Sequence, residues 1–237
     1  MITTYPASSR YSGDHGWLQY NFSFSFADYY DPNNMNFGPL RVFNEDYIQP
    51  GKGFGTHPHR DMEIVTVVIS GELAHEDNTG GKEILRAGEV QRMTAGTGIL
   101  HSEVNSSSTE VANIMQLWFL PEAKGLTPSY EQKAYDQEAM VNALLPIVSN
   151  HIKGESIVTI HQDLSIYLSK LEAGKTVNFS QAPDRKIYLF VYEGDVTLNG
   201  TNPLNRSDAA RITEVTELAI TSANGGTFML IDLPGIG

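Results

Sequence analysis

Short apolar runs broken by turn residues recur along most of the chain, and few carry a helical period. Ile64-Val65-Thr66-Val67-Val68-Ile69 is rich in β-branched residues and stops at Gly71, the pattern of a buried strand. Residues 114–120, 157–160, 164–168, 187–192 and 227–232 read the same way. Phe22, Phe24 and Phe26 alternate with serines, which predicts an outer strand with three phenylalanines on one face. Asp31-Pro32-Asn33-Asn34, Pro50-Gly51, Asp77-Asn78-Thr79-Gly80-Gly81 and Ala87-Gly88 are turn signals between the runs. Many short strands at this spacing predict an all-β chain built as a sandwich or jelly roll.

The pattern changes over residues 121–150. Residues 131–134 and 138–145 have the best helix propensities in the chain, and Pro146 closes the second stretch. This predicts an N-terminal β domain over residues 1–130, a helical linker over 131–150 and a C-terminal β domain over 151–237. A faint repeat supports duplication. Gly51 and Gly71 recur as Gly174 and Gly194, and an apolar strand precedes the second glycine in both copies. That offset maps His57 onto Ser180, His59 onto Ala182 and His101 onto Asn224, so the second copy keeps the strand rhythm and loses the histidines.

Composition narrows the chemistry. The 237 residues contain no cysteine, which excludes disulfides, thiolate ligands and thiol catalysis. The formal net charge of -12 opposes steering onto nucleic acid or an anionic membrane. No apolar run reaches membrane-span length, and the first residues lack the regions of a signal peptide, so cytoplasmic residence is expected.

Two short stretches carry candidate chemistry: His57-Pro58-His59 and His101-Ser102-Glu103. On a strand, residues i and i+2 share a face. Two such pairs on neighbouring strands would offer three imidazoles and one carboxylate to a single divalent metal. Nitrogen and oxygen donors without sulfur suit several metals: iron, manganese, nickel, copper, cobalt or zinc. Among these, Fe2+ is the expected ion. Glu63 competes with Glu103, since an unbroken strand from His59 would put it on the ligand face; Asp61 has the same parity in a turn-like context. His15, His75, His151 and His161 read as structural.

The run Phe24-Ser25-Phe26-Ala27-Asp28-Tyr29-Tyr30-Asp31-Pro32, Gly38-Pro39-Leu40-Arg41-Val42 with Asn44-Glu45-Asp46, His57-Pro58-His59-Arg60, and Thr94-Ala95-Gly96-Thr97-Gly98-Ile99 with His101-Ser102-Glu103 together resemble pirins, members of the cupin superfamily. The resemblance implies a bicupin of two face-to-face jelly-roll domains, with His57, His59, His101 and Glu103 as metal ligands in the first and no metal in the second. It implies that Glu63 is not a ligand. Some pirins are similar to quercetinases, which open the central ring of a flavonol with O2 and release carbon monoxide. On that reading the partners are a small aromatic substrate and O2, and Glu103 is the base for the flavonol 3-hydroxyl. Other pirins look like redox-responsive transcription cofactors that bind a protein partner, and the fold hosts both roles.

Overall fold

The computed structural model describes residues 1–235. Among them secondary structure is strand with two short 3-10 turns, as the alternating runs predict, and no helix is long and apolar enough to cross a membrane. The chain divides into two compact units. One holds Tyr11–Tyr135 and Gly154–Gln162; the other holds Met1–Arg10, Asp136–Lys153 and the chain from Asp163 on.

In the first unit a seven-stranded sheet runs Ser129–Ala134, Glu89–Thr94, Glu63–Ser70, Ala112–Phe119, Leu40–Ile48, Leu18–Phe22, Tyr11–Asp14. A four-stranded sheet runs Gly53–His59, Ile99–Val104, Glu72–Asp77, Lys82–Arg86. All these pairings are antiparallel. Apolar clusters form around Leu18, Ile48, Val68, Leu73 and Ile114, and around Ile64, Met93, Ala95 and Ile99. Buried polar residues interrupt the apolar rhythm on one face. Thr66 falls between Ile64 and Val68, and Gln116 between Ile114 and Trp118, at steps of two that keep them on that face.

The second unit repeats the plan. One layer runs Ile2–Tyr5, Ala209–Thr213, Lys186–Leu198, Gly226–Leu233, Ser165–Leu171, Leu145–Ser149. Thr176–Ser180, Glu217–Thr221, Asn202–Asn205 and the far half of Lys186–Leu198 pair beside it. Gly71 and Gly194 are equivalent points, both with positive φ (77° and 67°). A Cβ on Gly71 would lie 2.9 Å from Ala112 Cα, and one on Gly194 would lie 2.9 Å from Gly226 Cα. The repeated glycines thus mark where the chain passes against the start of a long neighbouring strand, which leaves no room for a side chain.

Three expectations are corrected. Residues 131–150 do not form a helix: Ser129–Ala134 pairs with Glu89–Thr94, Gln137–Met140 is a 3-10 turn capped by Asp136, and Leu145–Ser149 is a strand. Cross-strand pairing with Glu89–Thr94 outweighs helix propensity here, and Glu131 ties to the Arg92 side chain. The boundaries also differ, since Met1–Arg10 and Gly154–Gln162 each cluster with the unit formed mainly by the other half of the chain. The phenylalanine alternation is not one strand. The strand ends at Phe22, Ala27 takes a positive φ of 48°, and Phe26 closes a tight bridge with Tyr29.

The glycine pair yields a stability test. Gly71→Ala and Gly194→Ala each combine a left-handed backbone with a close strand contact. Each should destabilise by about 1–3 kcal/mol, lowering the thermal midpoint by several degrees. An unchanged midpoint in calorimetry would show that the neighbouring strand yields freely.

Candidate metal centre

Register brings the two histidine stretches together. In the pairing of Ile99–Val104 with Gly53–His59, His101 stands opposite His57, and Ile99 opposite His59. Strand alternation puts His57 and His59 on one face, with His101 and Glu103 beside them. Ligand atoms of His57, His59 and His101 lie within 4.8 Å of one another. Their ring centroids are 4.4–4.9 Å apart. Glu103 joins His101 and His75 in a second group of the same tightness. Glu103 and His57 share a wall of one cavity.

A β-bulge adds a residue that parity alone would not find. The register shifts between His101 and Glu103, so that Glu103 stands opposite Phe54 rather than Gly55. The extra residue turns Phe54 into the cavity beside His57. It also leaves the Gly55 carbonyl 2.7 Å from His57 Nδ1. A carbonyl only accepts, so His57 Nδ1 carries the proton and Nε2 is left with its lone pair.

Buried amides hold the carboxylate. Gln116 Nε2 donates to Glu103 Oε2 at 2.7 Å, and Gln116 Oε1 accepts from Trp118 Nε1 at 3.1 Å, which fixes the amide's orientation. On the other side Gln91 Nε2 lies 3.4 Å from Glu103 Oε1 and 3.2 Å from Thr66 Oγ1, while Gln91 Oε1 accepts from Tyr130 at 2.8 Å. Burial pushes the Glu103 carboxyl above the usual carboxylate range, against the hydrogen bond from Gln116 and the nearby His75 and His57.

The histidines are tuned the opposite way. Burial, then the neighbouring His57, His59 and His75, brings His101 down to about 3, with Asp77 pulling upward. Burial, then His57, brings His59 down to about 4. Both are neutral at pH 7, as metal-ligating imidazoles must be. His101 Nε2 is buried with no hydrogen-bond partner. An orphaned ring nitrogen among three convergent imidazoles, beside a buried carboxylate, is what a bound divalent cation would satisfy. The residues present fit a metal.

The cavity itself has a volume of about 180 Å³. Phe22, Phe26, Phe54, Trp118 and Leu18 give it an apolar aromatic wall, while Asn44, Asp46 and Gln116 add polar groups near His57 and Glu103. Trp118 also stands edge-on to His59, with centroids 4.7 Å apart. Met93 packs with Ile64, Ala95 and Ile99 in the core.

Other sequence candidates fall elsewhere. The strand breaks at Asp61, which takes a positive φ of 47° and accepts a hydrogen bond from Gly125 N. Parity is therefore lost after His59. Glu63 instead accepts from His161 N at 3.1 Å and lies 3.5 Å from the His161 ring, outside the histidine group. His161 clusters with this unit rather than the C-terminal one. His75, which the sequence reads as structural, stands beside His101 and Glu103. It is buried, with Nδ1 3.5 Å from His101 Nδ1 and Nε2 2.8 Å from Asp77 Oδ2. Burial pushes the Asp77 carboxyl up, but bonds from Thr79, His75 and Gly81 outweigh it and bring it to about 2. Gln116 and Trp118 fall in the apolar run 114–120 and Gln91 carries no local signal, since nothing in the sequence marks which glutamine meets Glu103.

The depressed histidines make a pH prediction for the metal-free protein. Unfolded histidines take up protons near pH 6.5, whereas folded His59 and His101 resist protonation to about 4 and about 3. Over that window the unfolded state binds more protons, so their contribution to stability is lost as pH falls. The raised Glu103 carboxyl acts in the opposite sense, so the test is a difference. Between pH 7 and pH 4, wild type should lose more thermal stability than His101→Gln. Parallel curves would show that His101 is not held neutral.

Comparison with known proteins identifies the family. A family model described as Pirin matches residues 5–119, and one described as Quercetinase C-terminal cupin domain matches residues 147–233. A protein of Escherichia coli strain K12 named quercetin 2,3-dioxygenase is 42% identical over 236 residues, covering all of both chains. A pirin-like protein of Caulobacter vibrioides is 39% identical and covers 98% of this chain and 99% of its own. Among solved structures, the bacterial pirin YhhW from Escherichia coli in complex with nickel(II) superposes with a TM-score of 0.93 at 41% identity, over all of both chains. With both halves matched and the two-unit all-β plan shared along the whole length, the chain belongs to the pirin family and is a bicupin.

Proposed function

We propose that this protein is a metal-dependent dioxygenase that cleaves the central ring of flavonols such as quercetin with O2 and releases carbon monoxide. The observation that carries the reading is the aromatic cavity with His57 and Glu103 in its wall. His57, His59, His101 and Glu103 would hold one divalent metal. When bound, the metal would polarise a chelating substrate oxygen and couple the electron-rich ring to O2. Relatives named quercetin 2,3-dioxygenase support the substrate class, and the nickel complex of a relative supports a divalent ion. The nitrogen and oxygen donor set suits ferrous iron as the resident ion.

The chain's own residues divide the remaining work. Phe22, Phe26, Phe54 and Trp118 offer flat apolar surface for a planar ring system. At about 180 Å³ the cavity takes the hydroxyl-bearing edge of a flavonol rather than the whole molecule. The flavonol 3-hydroxyl must lose its proton before its electrons become available. Glu103 receives that proton, because burial raises its basicity and the amides of Gln116 and Gln91 keep its oxygens in place. The same buried wall keeps bulk water from competing for the proton.

The test is aerobic turnover of quercetin by protein reconstituted separately with Fe2+, Ni2+, Cu2+ and Co2+, with carbon monoxide measured. No turnover by any fully loaded form would sink the assignment. His101→Ala should lose most of its metal. Glu103→Gln should keep much of its metal while turnover falls roughly 10²–10⁴-fold, the range for loss of a general base. Equal losses of metal and rate in E103Q would leave Glu103 a ligand without a role as base.

A further inference from the structure

Behind His101 lies a chain of buried groups that metal binding and proton transfer do not use: His75, Asp77 and the turn after Asp77. Asp77 Oδ1 accepts from Thr79 N at 2.7 Å, Thr79 Oγ1 at 2.6 Å and Gly81 N at 3.1 Å. These bonds orient the carboxylate and leave Oδ2 for His75 Nε2, at 2.8 Å. A carboxylate only accepts, so Nε2 of His75 carries its proton and Nδ1 keeps a lone pair. That lone pair faces His101 Nδ1 at 3.5 Å. With the proton of His101 on Nδ1, the two nitrogens form a long donor–acceptor pair. With it on Nε2, two lone pairs would face each other, and an N–H would be buried where no protein acceptor stands. The second arrangement is the costlier by both counts.

We infer that His75 and Asp77 are positioning residues that fix the tautomer of His101, holding its proton on Nδ1 so that Nε2 points its lone pair at the metal site. The sequence places them suitably. Glu72–Asp77 pairs with Ile99–Val104 on the edge opposite Gly53–His59, with His101 facing Asp77 and Glu103 facing His75. Tyr130 stacks on the His75 ring at 4.6 Å and restricts its rotation. The device is a ligand imidazole oriented through its second nitrogen, here with a further histidine inserted before the carboxylate. The inference rests on the metal reading above and is independent of the substrate.

The test reads the proton directly. In metal-free wild type labelled with ¹⁵N-histidine, nitrogen–proton correlation spectra should show His101 protonated on Nδ1 and His75 on Nε2. Nickel(II) affinity, measured by chelator competition, should fall about 10–100-fold in His75→Phe and by less in Asp77→Asn. In His75→Phe, His101 should become a mixture of tautomers. His75→Asn offers a carbonyl oxygen near the position of Nδ1 and should recover most of the nickel affinity, which a purely space-filling role would not. Circular dichroism of each variant checks the fold. Three results would overturn the proposal: His101 protonated on Nε2 in the wild type, a folded His75→Phe with unchanged affinity, or two nickel ions per chain of which His75→Phe removes one. If the wild type bound no nickel, the metal reading would fail, while the spectra would still decide the tautomer.

Discussion

Everything at the centre depends on burying polar groups in an apolar β interior without leaving them unpaired. Desolvating a carboxylate and several imidazoles is costly unless each finds a partner. Gln116 and Gln91 serve Glu103, the Gly55 carbonyl serves His57, and Asp77 serves His75. Each of these partners comes from a different strand. Among the described residues, His101 Nε2 is the one buried imidazole nitrogen left without a hydrogen-bond partner, within the group where three imidazoles converge. The apolar clusters around Val68 and Ile114, and around Ile64 and Ile99, supply the low dielectric that makes the arrangement effective.

That same environment separates the ionisable groups into roles. Burial disfavours charge on both acids and bases, so it raises Glu103 and lowers His59 and His101. The imidazoles are thereby kept as neutral donors, and the carboxyl is made a better proton acceptor. Asp77 escapes the trend because three hydrogen bonds from its own turn and one from His75 outweigh its burial.

The second unit shows what the strand plan does without that demand. Thr176–Ser180 and Glu217–Thr221 occupy the places of Gly53–His59 and Ile99–Val104. Their inward residues are Val177, Phe179, Leu218 and Ile220, packed in one apolar cluster. Among the described residues, both groups able to hold a metal lie in the first unit. Gly71 and Gly194 mark equivalent points of the repeat, but Asn224 is not the counterpart of His101. Ser180 pairs with Glu217, and Asn224 lies in the turn beyond that strand, bonded to Asp195. A fixed offset fails there because the loops between equivalent strands differ in length.

The sequence by itself determined the all-β class, the duplicated rhythm and the three histidines, because these are written in local alternation and in i, i+2 spacing. It could not determine register. The bulge that turns Phe54 inward, the left-handed Asp61 that sends Glu63 away, and the pairing that sets His75 beside Glu103 all depend on how distant strands align. Residues 131–134 show the same limit from the other side. Their helix propensity is real, yet an open strand edge at Glu89–Thr94 offered cross-strand hydrogen bonds, and those prevailed. The partners of Glu103 were hidden for a related reason. A glutamine in a core strand looks alike whether it meets a carboxylate or not, and only the closing of one sheet over the other decided that Gln91 and Gln116 would.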